Sequence, residues 1–458
     1  MNDTTKTVDK SKLVLANRDD LRFDEVFQTK PIGYFKDAFL RFKKNKASVV
    51  AGIILMLLIF MAIVGPFIKN DDLYKNHVTQ AQKLVSYGEL PPKINALSWT
   101  GAFNGHRNIV RSSIELDLRP LEDPEAVEMF GKILYTDLDT ITRNPDGTYA
   151  VEVDFYNFVN YMISNSLMSV TTEELQRIYD IEEAKGIEIL LEENRVWKDP
   201  DTGELIPGQS HRVRVNYFVF LEELYDTVPE YWFGADQRGR DWFNVLWSGA
   251  RISLLVAISV SSINIMIGVT IGSISGYFGG TVDLAIERIS EIIAGIPFLA
   301  LITLLILRYG SSIGVVIIAF TLTGWLGISS VTRREFYRYK SREYVLAART
   351  LGASDFRIMS RHILPNAVGT LITSFVLYIP SVIFTESTFA YLGIINYGSV
   401  TSVGRMLADA QARLKVETSL GFLVFYPSLF VSLLMLSFNL FGNGLRDAFN
   451  PSLRGVEE

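Results

Sequence analysis

The sequence predicts an α-helical integral membrane protein with six transmembrane helices and an α+β domain inserted between the first and second, outside the cell. Three observations predict it. Six apolar runs, approximately Ala47–Ile68, Ile252–Ile274, Leu284–Leu307, Ile313–Val331, Ala367–Phe389 and Leu420–Phe441, match the ~20 residues a helix needs to cross a hydrocarbon core of roughly 30 Å. Mean hydropathy is +0.21 although 21% of the residues are charged, so the charge must be kept apart from the apolar runs. It is also sorted by sign: Asp71–Glu230 holds 29 acidic and 14 basic residues, and that balance of −15 in a chain of net −6 leaves +9 for the remainder.

Basic residues crowd just before the first run (Arg41, Lys43, Lys44, Lys46) and between the fourth and fifth (Arg333, Arg334, Arg338, Lys340, Arg342, Arg349, Arg357, Arg361). The positive-inside rule makes both segments cytoplasmic, which puts both termini inside and residues 69–250 outside. With no cysteine, the outer block has no disulfides, and thiol nucleophiles and cysteine metal sites are excluded.

Residues 1–30 are polar, lack an apolar period and read as a disordered cytoplasmic tail. Residues 31–46 read as an interfacial amphipathic helix after Pro31, with Tyr34, Phe35, Ala38, Phe39 and Phe42 on one face and mostly charged residues on the other. Residues 47–68, the first span, follow a long polar stretch and read as a signal anchor.

In the outer block, Thr148–Phe155 alternates at period two after the turn Asn144-Pro145-Asp146-Gly147, and Arg212–Phe220 reads as a second strand. Thr171–Lys185 reads as a helix capped by Thr171 or Thr172. Asp199–Glu204 reads as a hairpin turn, since it lacks the ligand spacing of a calcium loop. A membrane-proximal helix closes the block; its Trp232, Phe233, Trp242, Phe243 and Trp247 suit the headgroup level. Residues 251–442 hold spans two to six with a connecting loop at 332–366, and 443–458 form a cytoplasmic tail.

Between the fourth and fifth spans, Ser341–Leu351 is rich in helix formers, Gly352 permits a sharp turn, and Ser354 or Asp355 can cap a second short helix. On the third span, Asp283, Glu287 and Glu291 share one face at i, i+4, i+8. They serve either a structural ion pair, with Arg288 or a basic residue of the loop, or an inner gate. Late in the fifth span, Thr385-Glu386-Ser387-Thr388 makes a polar patch above Pro380. It either lines a path or packs against Gly393 and the outer loop. His77, His106, His211 and His362 have no zinc-ligand spacing, and no G-x-x-x-x-G-K-[ST] nucleotide loop exists.

Within Glu343–Asn366 (EYVLAARTLGASDFRIMSRHILPN), Ala347, Ala348, Gly352, Leu364 and Pro365 stand at the spacing of the energy-coupling loop of bacterial ABC importer permeases, and Leu346 replaces the usual Glu. Phe233-Gly234, Asp236, Gly239-Arg240-Asp241, Gly249-Ala250-Arg251 and the closing Gly442–Arg454 add to the match. The sequence resembles the C-type permease subunit of oligopeptide/dipeptide ABC importers over roughly two thirds of its length. The remainder, about Leu90–Tyr225, stands where relatives have a short external loop.

The resemblance implies the ABC importer permease fold in a bacterial cell membrane. It implies a B-type permease partner, two cytoplasmic ATPases that bind ATP and Mg, an external substrate-binding protein, and peptide as cargo, with no cofactor in this chain and no nucleic acid. It assigns ATPase coupling to Arg342, Glu343, Leu346, Ala347, Ala348, Arg349, Gly352, Ala353, Asp355, Leu364 and Pro365. Pro380, Glu386 and Glu291 are candidates for the translocation path. Three other readings stand beside it: a permease for nickel or another small solute, a receptor whose outer domain binds ligand itself, and a membrane-anchored enzyme, for which no metal or acid–base constellation stands out.

Overall fold

The computed structural model describes residues 34–68, 88–111, 118–226, 230–398 and 400–449; the expected tail at 1–30, His77 and residues 450–458 lie outside these. Helix α1 (Tyr34–Lys44) has Asp37 in its first turn and Arg41, Lys43 and Lys44 in its last, the order that suits the helix dipole. Ala38 is buried and Phe42 meets Phe441 of the last helix edge-on at 5.3 Å. Phe39, expected on that face, is exposed under the Lys43 ammonium. α2 (Lys46–Ile68) is the first span.

The polar block folds around its own apolar core, with Leu90, Ile133, Val151, Leu175, Ile178, Ile189 and Val213 fully buried. β1 (His106–Arg111) is followed by α3 (Pro124–Phe130) and pairs antiparallel with β2 (Tyr149–Asp154). Asp154 starts α4 (Phe155–Ser164) by accepting from the Tyr156 and Asn157 N–H groups at 2.9 and 3.1 Å. β3 (Met168–Thr171) leads into α5 (Thr172–Lys185), whose capping box is complete: Thr171 Oγ1 accepts from Glu174 N–H, and Glu174 Oε2 accepts from Thr171 N–H.

β4 (Leu190–Arg195) and β5 (Ser210–Val215) complete an antiparallel sheet of order β3-β5-β4. The 199–204 segment is a hairpin turn, with Asp199 Oδ1 accepting from the Asp201 and Thr202 N–H groups. The strand expected over Arg212–Phe220 is corrected here: it ends at Val215 and α6 (Tyr217–Tyr225) begins. The first N–H groups of α6 donate to α4 side chains, Tyr217 to Ser164 Oγ and Phe218 to Asn160 Oδ1, both at 3.0 Å. Tyr217, Phe220, Leu221 and Leu224, spaced by three and four, bury one helical face.

α7 (Trp242–Phe278) runs 37 residues, about 55 Å, so the membrane-proximal helix and the second span are one element. α8 (Gly280–Ala294) and α9 (Phe298–Tyr309) are bent by 70° to each other, so the segment expected as the third span over Leu284–Leu307 is a bent pair of helices, not one straight helix. Pro297 brings no N–H and disfavours helical backbone at Ile296, next to Gly295. The signal was legible in Gly295-Ile296-Pro297 itself.

α10 (Ile313–Tyr339) packs along α7. Gly268, Gly272 and Gly276, spaced by four, bring the backbones together: a Cβ would lie 2.7 Å from Ile328 Cβ, 2.4 Å from Ser329 O and 2.6 Å from Phe336 Cβ respectively. α11 (Glu343–Thr350) lies in the connecting loop, α12 (Leu364–Tyr391) is the fifth span, α13 (Val403–Leu414) is a short amphipathic helix, and α14 (Gly421–Phe449) runs beyond the boundary expected at 442. Among the described residues five helices are long and apolar enough to cross a membrane, or six if the bent α8–α9 pair is one span.

The aromatic residues expected at the headgroup level pack against other parts of the chain. Trp242, Phe243 and Trp247 are buried between helices: Trp242 Nε1 donates to Leu423 O at 3.0 Å, and Trp247 fills the space left by Gly65 of α2. Phe233 is stacked on Tyr426 at 4.1 Å.

Candidate functional site

The loop between α10 and α12 is mounted on the end of α7. A small apolar core of Tyr277, Phe336, Val345, Ile358 and Ile363 underlies it. Lys340 Nζ donates to Gly276 O at 3.0 Å and lies 4.0 Å over the Tyr337 ring, fixing the exit from α10. α11 then turns its buried Val345 and Ala348 towards that core. Its last turn closes with Ala353 N–H donating to Ala348 O at 3.1 Å, and Gly352 takes φ +80°, the left-handed backbone that glycine adopts without strain.

Two of the charged residues assigned to partner contacts are used inside the chain. Tyr277 Oη donates to Asp355 Oδ1 at 2.5 Å, and Arg349 Nη2 donates to Tyr277 Oη at 3.2 Å. Arg342, at the N-cap of α11, and Glu343, in its first turn, are exposed, as are Leu346, Ala347, Leu351 and Phe356. Leu351 is 87% and Phe356 76% exposed, so the loop presents a mostly apolar knob framed by charge. A six-residue π-helical turn, Ile358–Ile363, then carries the chain into α12, with the half-buried Leu364 and the exposed Pro365 at its first positions.

The carboxylates of α8 separate. Asp283 is held by Arg333 Nε and Nη2 at 2.6 Å each, by Tyr337 Oη at 2.5 Å and by Ser275 Oγ. The structural-pair alternative is thus realised, with the arginine on the extended α10 rather than on a loop. Glu287 reaches Arg333 at 3.6 Å, and the exposed Glu291 pairs with Arg288 at 2.6 Å.

Glu386 is fully buried. Its carboxylate accepts from Ser253 Oγ of α7 at 3.0 Å, Tyr397 Oη at 3.2 Å and Ser387 Oγ at 3.4 Å, and also bonds Ser402. Thr385 and Thr388 bond back to their own helix. Glu386 is thus enclosed by Ser253, Ser387, Tyr397 and Ser402 rather than exposed at a surface, and Pro380 is likewise buried within α12. Ser253, Tyr397 and Ser402, like Tyr277 at the loop, were missed because each is a common residue whose partner lies over ten residues away. The Gly310–Gly314 segment has G-x-S-x-G spacing, yet Ser312 caps α10 by accepting from Val315 N–H at 3.3 Å, in a turn between apolar helices.

A family model described as binding-protein-dependent transport system inner membrane component matches residues 268–455, and one described as the N-terminal TM domain of oligopeptide transport permease C matches residues 33–92. The dipeptide transport system permease protein DppC of Bacillus subtilis is 40% identical over 233 residues, which are 51% of this chain and 72% of the relative. The chain belongs to this family, as a C-type oligopeptide/dipeptide permease.

The oligopeptide permease OppC of Bacillus subtilis is 39% identical over 225 residues, 49% of this permease and 73% of the relative; OppC of Escherichia coli K12 is 33% identical, over 50% and 75%. A solved inward-facing MetNI methionine ABC transporter aligns with 45% of this chain and 96% of that chain at 15% identity and a TM-score of 0.37, too low to bear on the helix arrangement. Neither family model reaches residues 93–267, so most of the α+β domain lies outside both. The permease is a multi-pass cell-membrane protein.

Proposed function

We propose that this permease forms one half of the translocation path of an ATP-driven importer of dipeptides or oligopeptides. Its partners are a B-type permease, two cytoplasmic ATPases that hold ATP and Mg, and an external substrate-binding protein. The observation that carries the reading is the loop 340–366: a short, apolar-tipped projection tied to α7 by Tyr277 and Lys340 and to α10 by Phe336. A force applied to Leu346, Leu351 or Phe356 reaches two spans without first deforming a slack linker. Arg342, Glu343 and Ala347 frame the docking surface. Val345, Ala348, Arg349, Gly352, Ala353, Asp355, Leu364 and Pro365 give it shape.

Movement of two such loops together, as the ATPases close on ATP, rocks the spans between inward- and outward-facing arrangements. Glu291 is the exposed candidate for the path; Glu386 and Pro380 support its wall from behind. The termini are cytoplasmic and residues 69–250 external, where the acidic domain serves as a platform for the binding protein. Its attraction for that protein weakens as salt rises, because exposed charges are screened beyond roughly 10 Å at 0.1 M.

The test is purification of the N-terminally tagged chain from mild detergent with its partners, followed by ATPase and transport assays with and without Gly352→Pro. Two ATPases and a second permease should co-purify, and transport coupling should be lost in the variant, whose ring cannot take φ +80°. A chain that purifies alone while its outer domain binds peptide contradicts the proposal.

A further inference from the structure

We propose that Glu89 is a positioning residue that couples the outer α+β domain to α13, the short helix between the fifth and sixth spans. The inference rests on the importer reading, because it assigns the outer domain a part in the transport cycle. α13 is pinned at both ends. At its start, Ser402 bonds Glu386, the Val403 N–H faces Ser253 Oγ at 3.4 Å, and Gly404 presses on the backbone of Ser387 so closely that a Cβ would lie 2.2 Å from its carbonyl oxygen. At its end, the Arg413 guanidinium holds Glu89 Oε1 through both Nε and Nη2.

Glu89 belongs mechanically to the outer domain. Its N–H donates to Asp236 O at 2.9 Å, and its carbonyl accepts from Arg107 Nη1 at 2.9 Å. Arg107, in β1, lies 3.9 Å over the Phe155 ring of α4. The next residue, Leu90, is fully buried in the domain core, and its carbonyl accepts from Ala235 N–H at 2.8 Å. Glu89 also takes φ +64°, a left-handed backbone that a non-glycine residue keeps only where surrounding contacts over-determine it.

The neighbouring ion pairs do not bridge the two bodies. Arg405–Asp409 lies within α13 and Arg240–Asp236 within one loop, whereas Glu89–Arg413 joins residues 324 apart in sequence. The Glu89 side chain is 16% exposed, so this pair is screened less than a surface one. A displacement of the outer domain carries Glu89 with it, and α13 must follow or the pair must break. Since α13 is anchored to Glu386 on the fifth span and Ser253 on the second, the displacement reaches the spans.

Two measurements test it. In the full-length permease alone, Glu89→Gln and Arg413→Gln should each raise amide hydrogen exchange across residues 403–414 and leave the 343–350 helix unchanged. In the complete complex in lipid nanodiscs, both variants should keep basal ATPase activity and subunit composition. Stimulation by the peptide-loaded binding protein should fall about fivefold or more, the scale of an allosteric coupling, with Glu89→Asp recovering part of it. Glu89→Gly, which frees the backbone but lacks the carboxylate, should behave as Glu89→Gln. Unchanged exchange at 403–414 overturns the link itself, and full stimulation in both glutamine variants overturns the coupling. A wild-type complex with no ATPase overturns the importer reading instead, and the exchange result on the permease alone still decides whether Glu89 holds α13.

Discussion

The hydroxyl of Tyr277, in the last turn of α7, donates to Asp355 Oδ1 at 2.5 Å and accepts from Arg349 Nη2 at 3.2 Å, so one phenol joins both halves of the loop to the second span. Tyr277→Phe should leave the ring in its apolar core and remove both bonds. The expected stability loss is about 1 kcal/mol. The larger effect should be on transport: protease sensitivity at 343–357 rises, the ATPases still bind, and less peptide is moved per ATP in proteoliposomes. An unchanged transport-to-hydrolysis ratio contradicts the mounting described above.

The α7–α10 contact can be tested by a pair of glycines. A Cβ at Gly272 would lie 2.4 Å from Ser329 O, whereas one at Gly327 meets nothing within 4 Å. Gly272→Ala should cost about 1–3 kcal/mol by overpacking, seen as a lower midpoint of thermal aggregation in detergent. Gly327→Ala should stay within about 0.5 kcal/mol.

Asp283 and Arg333 form a bidentate, largely buried pair, with Arg333 Nε and Nη2 both at 2.6 Å. Asp283→Ala leaves the half-buried guanidinium with only Glu287, at 3.6 Å, and should cost about 1–3 kcal/mol, whereas the double change Asp283→Leu with Arg333→Met should be close to neutral. Thermal shifts of the single and double variants in the same detergent decide this.

His211 supplies a pH dependence in the α+β domain. Its Nδ1 accepts from Trp197 N–H at 3.0 Å and its Nε2 faces Thr172 Oγ1 at 3.0 Å, an arrangement of the neutral ring. Burial holds its pKa below the usual value of 6.5, with Glu193 opposing and Lys198 adding to the effect. A depressed pKa means that the unfolded chain binds the proton more readily. The stabilisation is therefore fully present above about pH 6.5 and is lost as pH falls through the folded-state value. Protease resistance of residues 118–226 should drop on acidification, and His211→Asn should flatten the dependence; an identical pH profile in the variant rules the histidine out.

Much of this was legible because the signals were local. The length of the apolar runs located the spans, and Gly352 marked the turn of the loop, although neither Ser354 nor Asp355 caps the short helix after it with a side-chain hydrogen bond. Thr171, one of the two residues read as the cap of its helix, is the cap, and Glu174 completes a capping box with it. What escaped depended on distant partners. The 212–220 segment became half helix because Ser164 and Asn160, on another element, satisfy its first N–H groups. The aromatic residues of 232–247 looked interfacial because their composition fits headgroups equally well, and it took Gly65 and Leu423 to show them packed inside. Arg349 and Asp355 looked free for a partner because nothing in the sequence joins them to Tyr277.

Because the chain contains no cysteine, a single introduced thiol gives an unambiguous probe of the loop. The most direct measurement is bismaleimide cross-linking of Ala347→Cys permease within the purified complex, with Met129→Cys in the α+β domain as the reference position. The expected result is a product of this chain with an ATPase subunit from position 347, its yield changing with ATP, and none from position 129. Co-purification of the ATPases with no product from 347, or with equal product from both positions, contradicts the central claim that this loop is where the permease receives its force.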